Sequence, residues 1–167
     1  LMITVKDTGT MGVWRYVDSA WQRQIYAEYA KGSRLYYNGS AYTLSKESTW
    51  IMNGTDPTTV SNSLNGNTIT TVWNAGSDFV ITQKTTYNDG NSYYRLEWDI
   101  KNVSGAAISD LRFFHGEDTY LRGGDRAAGW WDAVNTTIGA QKDVDGTLQR
   151  MYLQGVTTPY GYDSINY

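Results

Sequence analysis

The chain of 167 residues has no cysteine and a single histidine, His115. The absence of cysteine excludes thiol catalysis, disulfide bonds and thiolate zinc sites, and one histidine excludes a metal site built from several. No apolar run approaches the roughly 20 residues of a membrane-spanning helix, so direct membrane insertion is not expected. The formal net charge is −3, which leaves no basic excess to attract nucleic acid.

Residues that favour α-helices are comparatively scarce, whereas residues that favour turns and strands are abundant. The chain has 17 glycines, 14 tyrosines and 7 tryptophans. Asp, Asn, Gly and Ser favour turns, and Thr, Tyr and Trp favour strands. This composition predicts an all-β extracellular module. The length suits a single domain over residues 1–167, and the abrupt ends suggest a segment excised from a much longer surface protein.

The clearest strand is predicted for residues 94–103, where apolar and charged side chains alternate. Asp89-Gly90 before it predicts a hairpin turn to a strand at residues 78–87. A turn at residues 75–77 joins that strand to an earlier one, which completes an antiparallel meander. A fourth strand is predicted at residues 110–114.

Two further hairpins are predicted at Asn38-Gly39 and Asp145-Gly146, because both pairs favour tight two-residue turns. Residues 18–31 fit either a helix capped by Asp18 or a strand, and the neighbouring strands favour a strand. Residues 53–66 are predicted to form a polar loop. Regularly spaced turns indicate two packed sheets, so the predicted fold class is an all-β antiparallel β-sandwich with long loops at one end.

One stretch, residues 113–132, reads FFHGEDTYLRGGDRAAGWWD and carries more charge and tryptophan than a plain connection needs. It leaves the predicted strand 110–114, and clear alternation resumes only near Val134, which predicts a long functional loop. Its acids supply hard oxygen ligands, and its glycines let the chain curl around a cation. The alternative is a solvated loop in which arginines pair with the carboxylates. The hypothesis is a calcium site with the ligands Glu117, Asp118, Asp125 and Asp132.

Residues 122–126 within this loop allow a second role. Arginines on either side of two glycines could hold a carboxylate through guanidinium and backbone N–H donors, and a chain-terminal carboxylate is one natural target. Surface ion pairs explain either arginine taken alone equally well. Aromatic side chains would form the walls of such a site. The residues assigned to ligand contact are Tyr120, Arg122, Gly123, Gly124, Arg126, Trp131 and Tyr160.

Catalysis has no positive support in the sequence. His115 is the only histidine that a Ser-His-Asp triad could use, and no G-x-S-x-G segment is present. A hydrogen-bonded histidine at the end of a strand explains His115 better. The chain is therefore expected not to be an enzyme, although the acids of the loop leave a glycan-active enzyme open.

The second half of the chain contains IKNVSGAAISDLRFFHGEDTYLRGGDRAAGWWD, followed by YLQGVTTPYGYD. This combination resembles the small β-sandwich peptide-binding domains of giant bacterial adhesins of the RTX type. The resemblance implies a secreted cell-surface module without catalysis. It also implies capture of the free C-terminal end of a partner polypeptide, assisted by calcium.

The leading hypothesis is a calcium-dependent, monomeric adhesion module, extracellular or at the cell surface. Its expected partners are the exposed C-termini of surface proteins. The alternative is a carbohydrate-binding module that stacks the same aromatic residues on surface glycans. A glycan-active enzyme domain is a third hypothesis.

Overall fold

The computed structural model describes residues 1–28, 31–44 and 54–156. These residues form strands and turns but no α-helix. The described part of the chain therefore contains no helix that could span a membrane. The strands are β1 Met2–Val5, β2 Met11–Val17, β3 Ala20–Arg23, β4 Lys31–Tyr37, β5 Ser40–Leu44, β6 Thr58–Asn65, β7 Thr68–Ala75, β8 Phe79–Thr86, β9 Arg95–Asn102, β10 Leu111–Glu117, β11 Ala128–Asp132, β12 Thr137–Val144 and β13 Thr147–Gln154. The sheets are antiparallel, which confirms the predicted all-β fold class.

The chain divides into two compact units. The first consists of residues 1–13 and 27–117, and the second consists of residues 14–26 and 118–167. Each unit is therefore assembled from two separate stretches of sequence. The expectation of one domain over residues 1–167 stays a prediction.

The first unit is a β-sandwich. It contains a four-stranded sheet in the order β6-β7-β8-β9 and a three-stranded sheet in the order β10-β4-β5. Alternation along each strand turns one face of each sheet towards a shared core. The core residues are Leu35, Tyr37, Leu44, Trp73, Ala75, Phe79 and Ile81. Because both sheets contribute to this core, the predicted sandwich is confirmed here.

The hairpins predicted at Asn38-Gly39 and Asp145-Gly146 are also confirmed. Asn38 and Gly39, with φ of 47° and 78°, form the turn between β4 and β5. Asp145 and Gly146, with φ of 52° and 77°, form the turn between β12 and β13. Positive φ at both central residues matches the twist of the flanking strands, which is why these residue pairs predict the turns.

The second unit contains a hairpin and a three-stranded sheet. Residues 14–17 of β2 pair with β3, and a separate sheet has the order β11-β12-β13. A 3₁₀ turn, Leu121–Gly123, lies in the connection before β11. The strand favoured for residues 18–31 is confirmed only in part. Ala20–Arg23 is present, but residues 24–28 form no strand beyond the isolated bridge between Ile25 and Thr119, and Asp18 lies in a turn with φ of 51°. Residues 29 and 30 lie outside the described part.

Two boundaries predicted from the sequence are wrong. β10 continues to Glu117, because its backbone pairs with β4 along its whole length although Gly116 and Glu117 continue no apolar alternation. Since β11 begins at Ala128, the connection shortens to residues 118–127. The predicted polar loop contains β6, an edge strand whose almost entirely exposed side chains show no alternation.

Candidate functional site

The connection 118–127, which carries much of the predicted site, is tied to a neighbouring segment of the second unit. The N–H of Tyr26 donates to the carbonyl oxygen of Asp118 (2.9 Å), and the N–H of Tyr120 donates to that of Gln24 (2.8 Å). The ring of Tyr120 also packs edge-to-face on Tyr26, with 5.7 Å between centroids. Leu121 is buried. The first part of this connection therefore has a defined backbone path.

Two of the donors that were predicted to bind a carboxylate in segment 122–126 already form hydrogen bonds within the chain. Arg122 adopts a left-handed backbone (φ 55°, ψ 39°), and its Nη1 donates to Oδ2 of Asp18 at 2.7 Å. The N–H of Gly124 donates to a carbonyl oxygen of the same turn at 3.3 Å. Gly123 and Arg126 are exposed. One nitrogen of Arg122 and the N–H of Gly124 are therefore already used within the chain.

Two of the four predicted calcium ligands accept hydrogen bonds from protein groups. Oε1 of Glu117 accepts from the hydroxyl of Tyr94 (3.1 Å) and lies 3.3 Å from Nε2 of His115. The carboxylate of Asp132 accepts the side-chain and backbone N–H groups of Asn135 (2.7 and 3.2 Å). These hydrogen bonds favour the charged form, and so they lower the pKa of Asp132.

The other two predicted ligands, Asp118 and Asp125, influence one another. Partial burial and the negative charge of Asp125 raise the pKa of the Asp118 carboxyl. In the described part of the chain, no three acidic or histidine side chains are grouped so as to hold a metal ion. Calcium requires roughly six to eight oxygens, so main-chain carbonyls would have to complete any site at this pair. Calcium binding stays a prediction.

The predicted aromatic contacts are separated along the chain. Trp131 lies on β11 with 49% of its surface exposed. Its neighbour Trp130 points to the opposite face of the strand, where it packs against Tyr152 (5.4 Å between centroids) and beneath Arg150 (4.5 Å). Tyr160 lies outside the described residues.

His115 belongs to a buried polar network in the first unit. Its Nδ1 lies 2.8 Å from Oγ of Ser33, and its ring packs against Trp98 at 4.8 Å between centroids. Burial and the charge of Glu117 raise the pKa of Tyr94 well above its ordinary value, so the phenol remains a donor. Ser33 is only 1% exposed, which keeps its hydroxyl away from any substrate in this conformation. The expectation of a hydrogen-bonded strand histidine is confirmed.

The outer face of the sheet β10-β4-β5 carries a groove that the sequence did not predict. Leu35 points into the core, and alternation therefore turns Arg34 and Tyr36 outwards. In the β4–β10 register, Arg112 lies opposite Tyr36, and Phe114 lies opposite Arg34. These four outward side chains line a groove of about 350 Å³, here called the Arg34–Arg112 groove.

The cations of this groove retain hydrogen-bonding capacity. Arg112 lies over the ring of Tyr36 at 5.7 Å, and its Nε donates to Asp110 at 3.1 Å. Exposed ion pairs of this kind are worth only ~0–1 kcal/mol. Nε of Arg34 is shielded from solvent and has no hydrogen-bond partner among the described residues. An unsatisfied buried donor of this kind costs about 1–3 kcal/mol.

No family model, curated protein or solved structure matches this chain. A function must therefore be inferred from the chemistry of the residues. Arg122 and Arg112 each already bond to an aspartate, and the Arg34–Arg112 groove is distinguished because it brings two guanidinium groups and two aromatic rings around one space.

Proposed function

We propose that this chain is a non-enzymatic adhesion module that binds the free C-terminal end of partner polypeptides outside the cell. In this proposal the binding surface is the Arg34–Arg112 groove. The observation that carries it is the placement of two guanidinium groups and two aromatic rings around one groove on an open sheet face. The proposed ligand group is still a carboxylate, as predicted from the sequence. The proposed binding site, however, is this sheet face and not segment 122–126.

The two arginines favour a carboxylate ligand. A guanidinium group presents parallel N–H donors that match the two oxygens of a carboxylate, and such bidentate pairs are stronger than neutral hydrogen bonds. Arg34 contributes its guanidinium group to the lining of the groove, and Arg112 bonds to Asp110 through Nε, which leaves its terminal nitrogens for a ligand. A second carboxylate can therefore be accommodated beside Asp110.

The aromatic rings favour the end of a polypeptide over a small inorganic anion. A C-terminal residue places a side chain directly beside its carboxylate, and the rings of Tyr36 and Phe114 provide an apolar surface for that side chain. Phe114 is 50% exposed, so its burial by a ligand would be favourable. The volume of about 350 Å³ lies near the lower end for ligand sites, which suits a terminal residue.

The proposal is tested by the binding of peptides with free and amidated C-termini to the chain and its variants. Fluorescence polarisation of a C-terminal peptide library should reveal peptides that bind only with a free carboxylate. Arg34→Gln and Arg112→Gln should each weaken these peptides by roughly tenfold to a hundredfold, because each removes a charge-assisted hydrogen bond. Thermal melting of each variant establishes that it remains folded.

Arg122→Gln and Arg126→Gln are the matched controls, because they change arginines of the other candidate segment. Both should leave the affinity of the free-ended peptides unchanged. Loss of binding in these two variants, with Arg34→Gln and Arg112→Gln unaffected, would move the site to segment 122–126. Equal binding of free and amidated peptides would exclude a carboxylate site altogether.

The proposal also includes calcium binding, which involves a different pair of residues, Asp118 and Asp125. These are the two predicted ligands that influence one another, since partial burial and the negative charge of Asp125 raise the pKa of Asp118. A divalent cation between them would offset the negative charge, and main-chain oxygens would supply the remaining ligands. The metal is then expected to stabilise the connection 118–127.

A further inference from the structure

The loop 87–94 between β8 and β9 is fixed by several hydrogen bonds within the first unit. The N–H of Tyr87 donates to the carbonyl oxygen of Asn67 (3.1 Å), and its hydroxyl donates to that of Asn91 (3.3 Å). The N–H of Asn91 donates to the carbonyl oxygen of Asn88 at 3.1 Å. A loop fixed in this way presents its side chains in a preformed arrangement.

The loop and the adjacent outer face of β8 and β9 enclose a pocket of about 290 Å³. The lining residues are Thr86, Asn88, Asn91, Tyr93, Arg95 and Glu97. This set contains amides and hydroxyls that both donate and accept, one donor-only side chain and one acceptor-only side chain. A hydroxyl group also both donates and accepts, so a polyhydroxylated ligand matches the pocket.

The pocket is lined by one positive and one negative side chain, so its net charge is zero. Nη2 of Arg95 lies 3.1 Å from Oε1 of Glu97, and these are the two charged side chains among the lining residues. A charged ligand would therefore meet one repulsive partner along with each attractive one, whereas a neutral ligand would not. This balance distinguishes the pocket from the Arg34–Arg112 groove, which two cations line.

Tyr93 supplies an apolar surface beside these polar groups. It is 64% exposed, so its ring is accessible to a ligand. A tyrosine ring offers a rigid contact area at a low cost in side-chain entropy. A sugar ring has apolar C–H faces as well as hydroxyl groups, so it can stack on Tyr93 while its hydroxyls bond to the amides.

We infer that this pocket, here called the Tyr93 pocket, is a binding site for one neutral saccharide unit. Asn88, Asn91 and Glu97 bond its hydroxyl groups, and Tyr93 stacks on its face. The pocket is separate from the proposed carboxylate groove, and neither site depends on the other. The module would thus hold a polypeptide end and a glycan on different surfaces.

The test is an NMR titration of the isotope-labelled chain with neutral oligosaccharides that present glucose, galactose, mannose or N-acetylglucosamine. Sialylated and sulfated oligosaccharides form the charged comparison set. At least one neutral sugar should shift amide signals within residues 86–97. Tyr93→Ala should weaken that sugar by roughly tenfold through loss of the stacking surface. Glu97→Gln, which changes an acceptor but keeps the shape, should also weaken it.

The matched control is Tyr16→Ala, since Tyr16 is 58% exposed and lies in the second unit. It should leave sugar affinity unchanged, as should Arg34→Gln, which tests the carboxylate groove. Absence of binding by every neutral sugar in the panel would overturn the inference. Binding of charged sugars alone, or a loss in Tyr16→Ala and not in Tyr93→Ala, would overturn it as well.

Discussion

At the scale of single residues, Gly9 is a position with almost no room for a side chain. It has φ of 83°, and a Cβ built there would lie 2.1 Å from the ring of Trp73. Trp73 is 1% exposed, and its Nε1 donates to the carbonyl oxygen of Thr8 at 3.3 Å. Gly9→Ala should reduce the free energy of unfolding by about 2–5 kcal/mol, through left-handed strain and overpacking. Urea denaturation measures this change.

Gly39→Ala separates the two contributions. Gly39 has φ of 78°, but nothing lies within 4 Å of the position that a Cβ would take there. This substitution should therefore show only the backbone cost of about 1–2 kcal/mol. If the two substitutions prove equally destabilising, the close packing of Gly9 on Trp73 is not energetically important.

The carboxyl of Asp118 determines a second residue-scale prediction. Its pKa is raised because it is partly buried and because Asp125 is negatively charged. A carboxyl with a raised folded-state pKa binds its proton more tightly when folded, so stability is gained as the pH falls through that pKa towards 3.8 and is lower at neutral pH. In chelator, Asp125→Asn should therefore raise the Tm at pH 7. The gain should disappear in acid.

Calcium should reverse the sign of the same substitution. A cation bound only to the folded state stabilises it by mass action, so the wild type should melt at a higher temperature in calcium than in chelator. Asp125→Asn should lose this difference, whereas Asp99→Asn, a change at an exposed carboxylate of β9, should keep it. A wild-type Tm that is identical in calcium and in chelator would contradict the calcium site.

At the scale of strands, the network around His115 links β4 and β10 to the residue that precedes β9. Tyr94→Phe removes the hydroxyl that donates to Glu117 at 3.1 Å. Loss of a donor to a buried acceptor should cost about 1–3 kcal/mol of unfolding free energy at neutral pH. The neighbouring Tyr93→Phe is the control, because Tyr93 is exposed, and it should change stability little. Equal effects of the two changes would show that the network contributes nothing specific.

The same tyrosine predicts a dependence on alkaline pH. Its pKa is raised in the folded state by burial and by Glu117. The stability that follows from this shift is fully present below the unfolded pKa of 10.0 and is lost as the pH rises above it. Tyr94→Phe should therefore make the alkaline loss of stability shallower. Denaturation curves measured from pH 8 to 11 check this slope.

The strands that can be predicted from the sequence are those with a strong local pattern. β9 alternates between a partly buried and an exposed face, and the turns at Asn38-Gly39 and Asp145-Gly146 require positive φ. β6 cannot be predicted in this way, because an edge strand with exposed side chains carries no such pattern. The end of β10 cannot be predicted either, because its pairing with β4, and not its own side chains, extends it to Glu117.

At the scale of the whole molecule, the candidate site could not be predicted because it depends on pairing between distant segments. Arg34 and Arg112 are far apart in the sequence and share a groove only because β4 pairs with β10. Ser33 and His115 meet through the same register. The sequence favoured residues 113–132 instead, because their density of charge and aromatic residues is visible without any long-range pairing.

The division into two units also has a long-range origin. The first unit includes residues 1–13, which are separated from its other stretch, residues 27–117, by residues 14–26 of the second unit. Met11 is 3% exposed, and its Sδ lies 3.7 Å from Nε2 of Gln83. Gly9 packs on Trp73 within the same unit. These contacts indicate that the N-terminal stretch is part of the structure of the first unit.

The assembly of the first unit from two stretches of sequence predicts how fragments of the chain will fold. A fragment of residues 1–117 retains every stretch of the first unit, so it should give dispersed amide spectra and a cooperative unfolding transition. A fragment of residues 27–117 lacks the stretch that covers Trp73 and contacts Gln83, so it should show neither property. NMR spectra and urea denaturation of the two fragments check this. Cooperative folding of residues 27–117 would show that the N-terminal stretch is dispensable. Failure of residues 1–117 to fold would show that the first unit requires the C-terminal part of the chain.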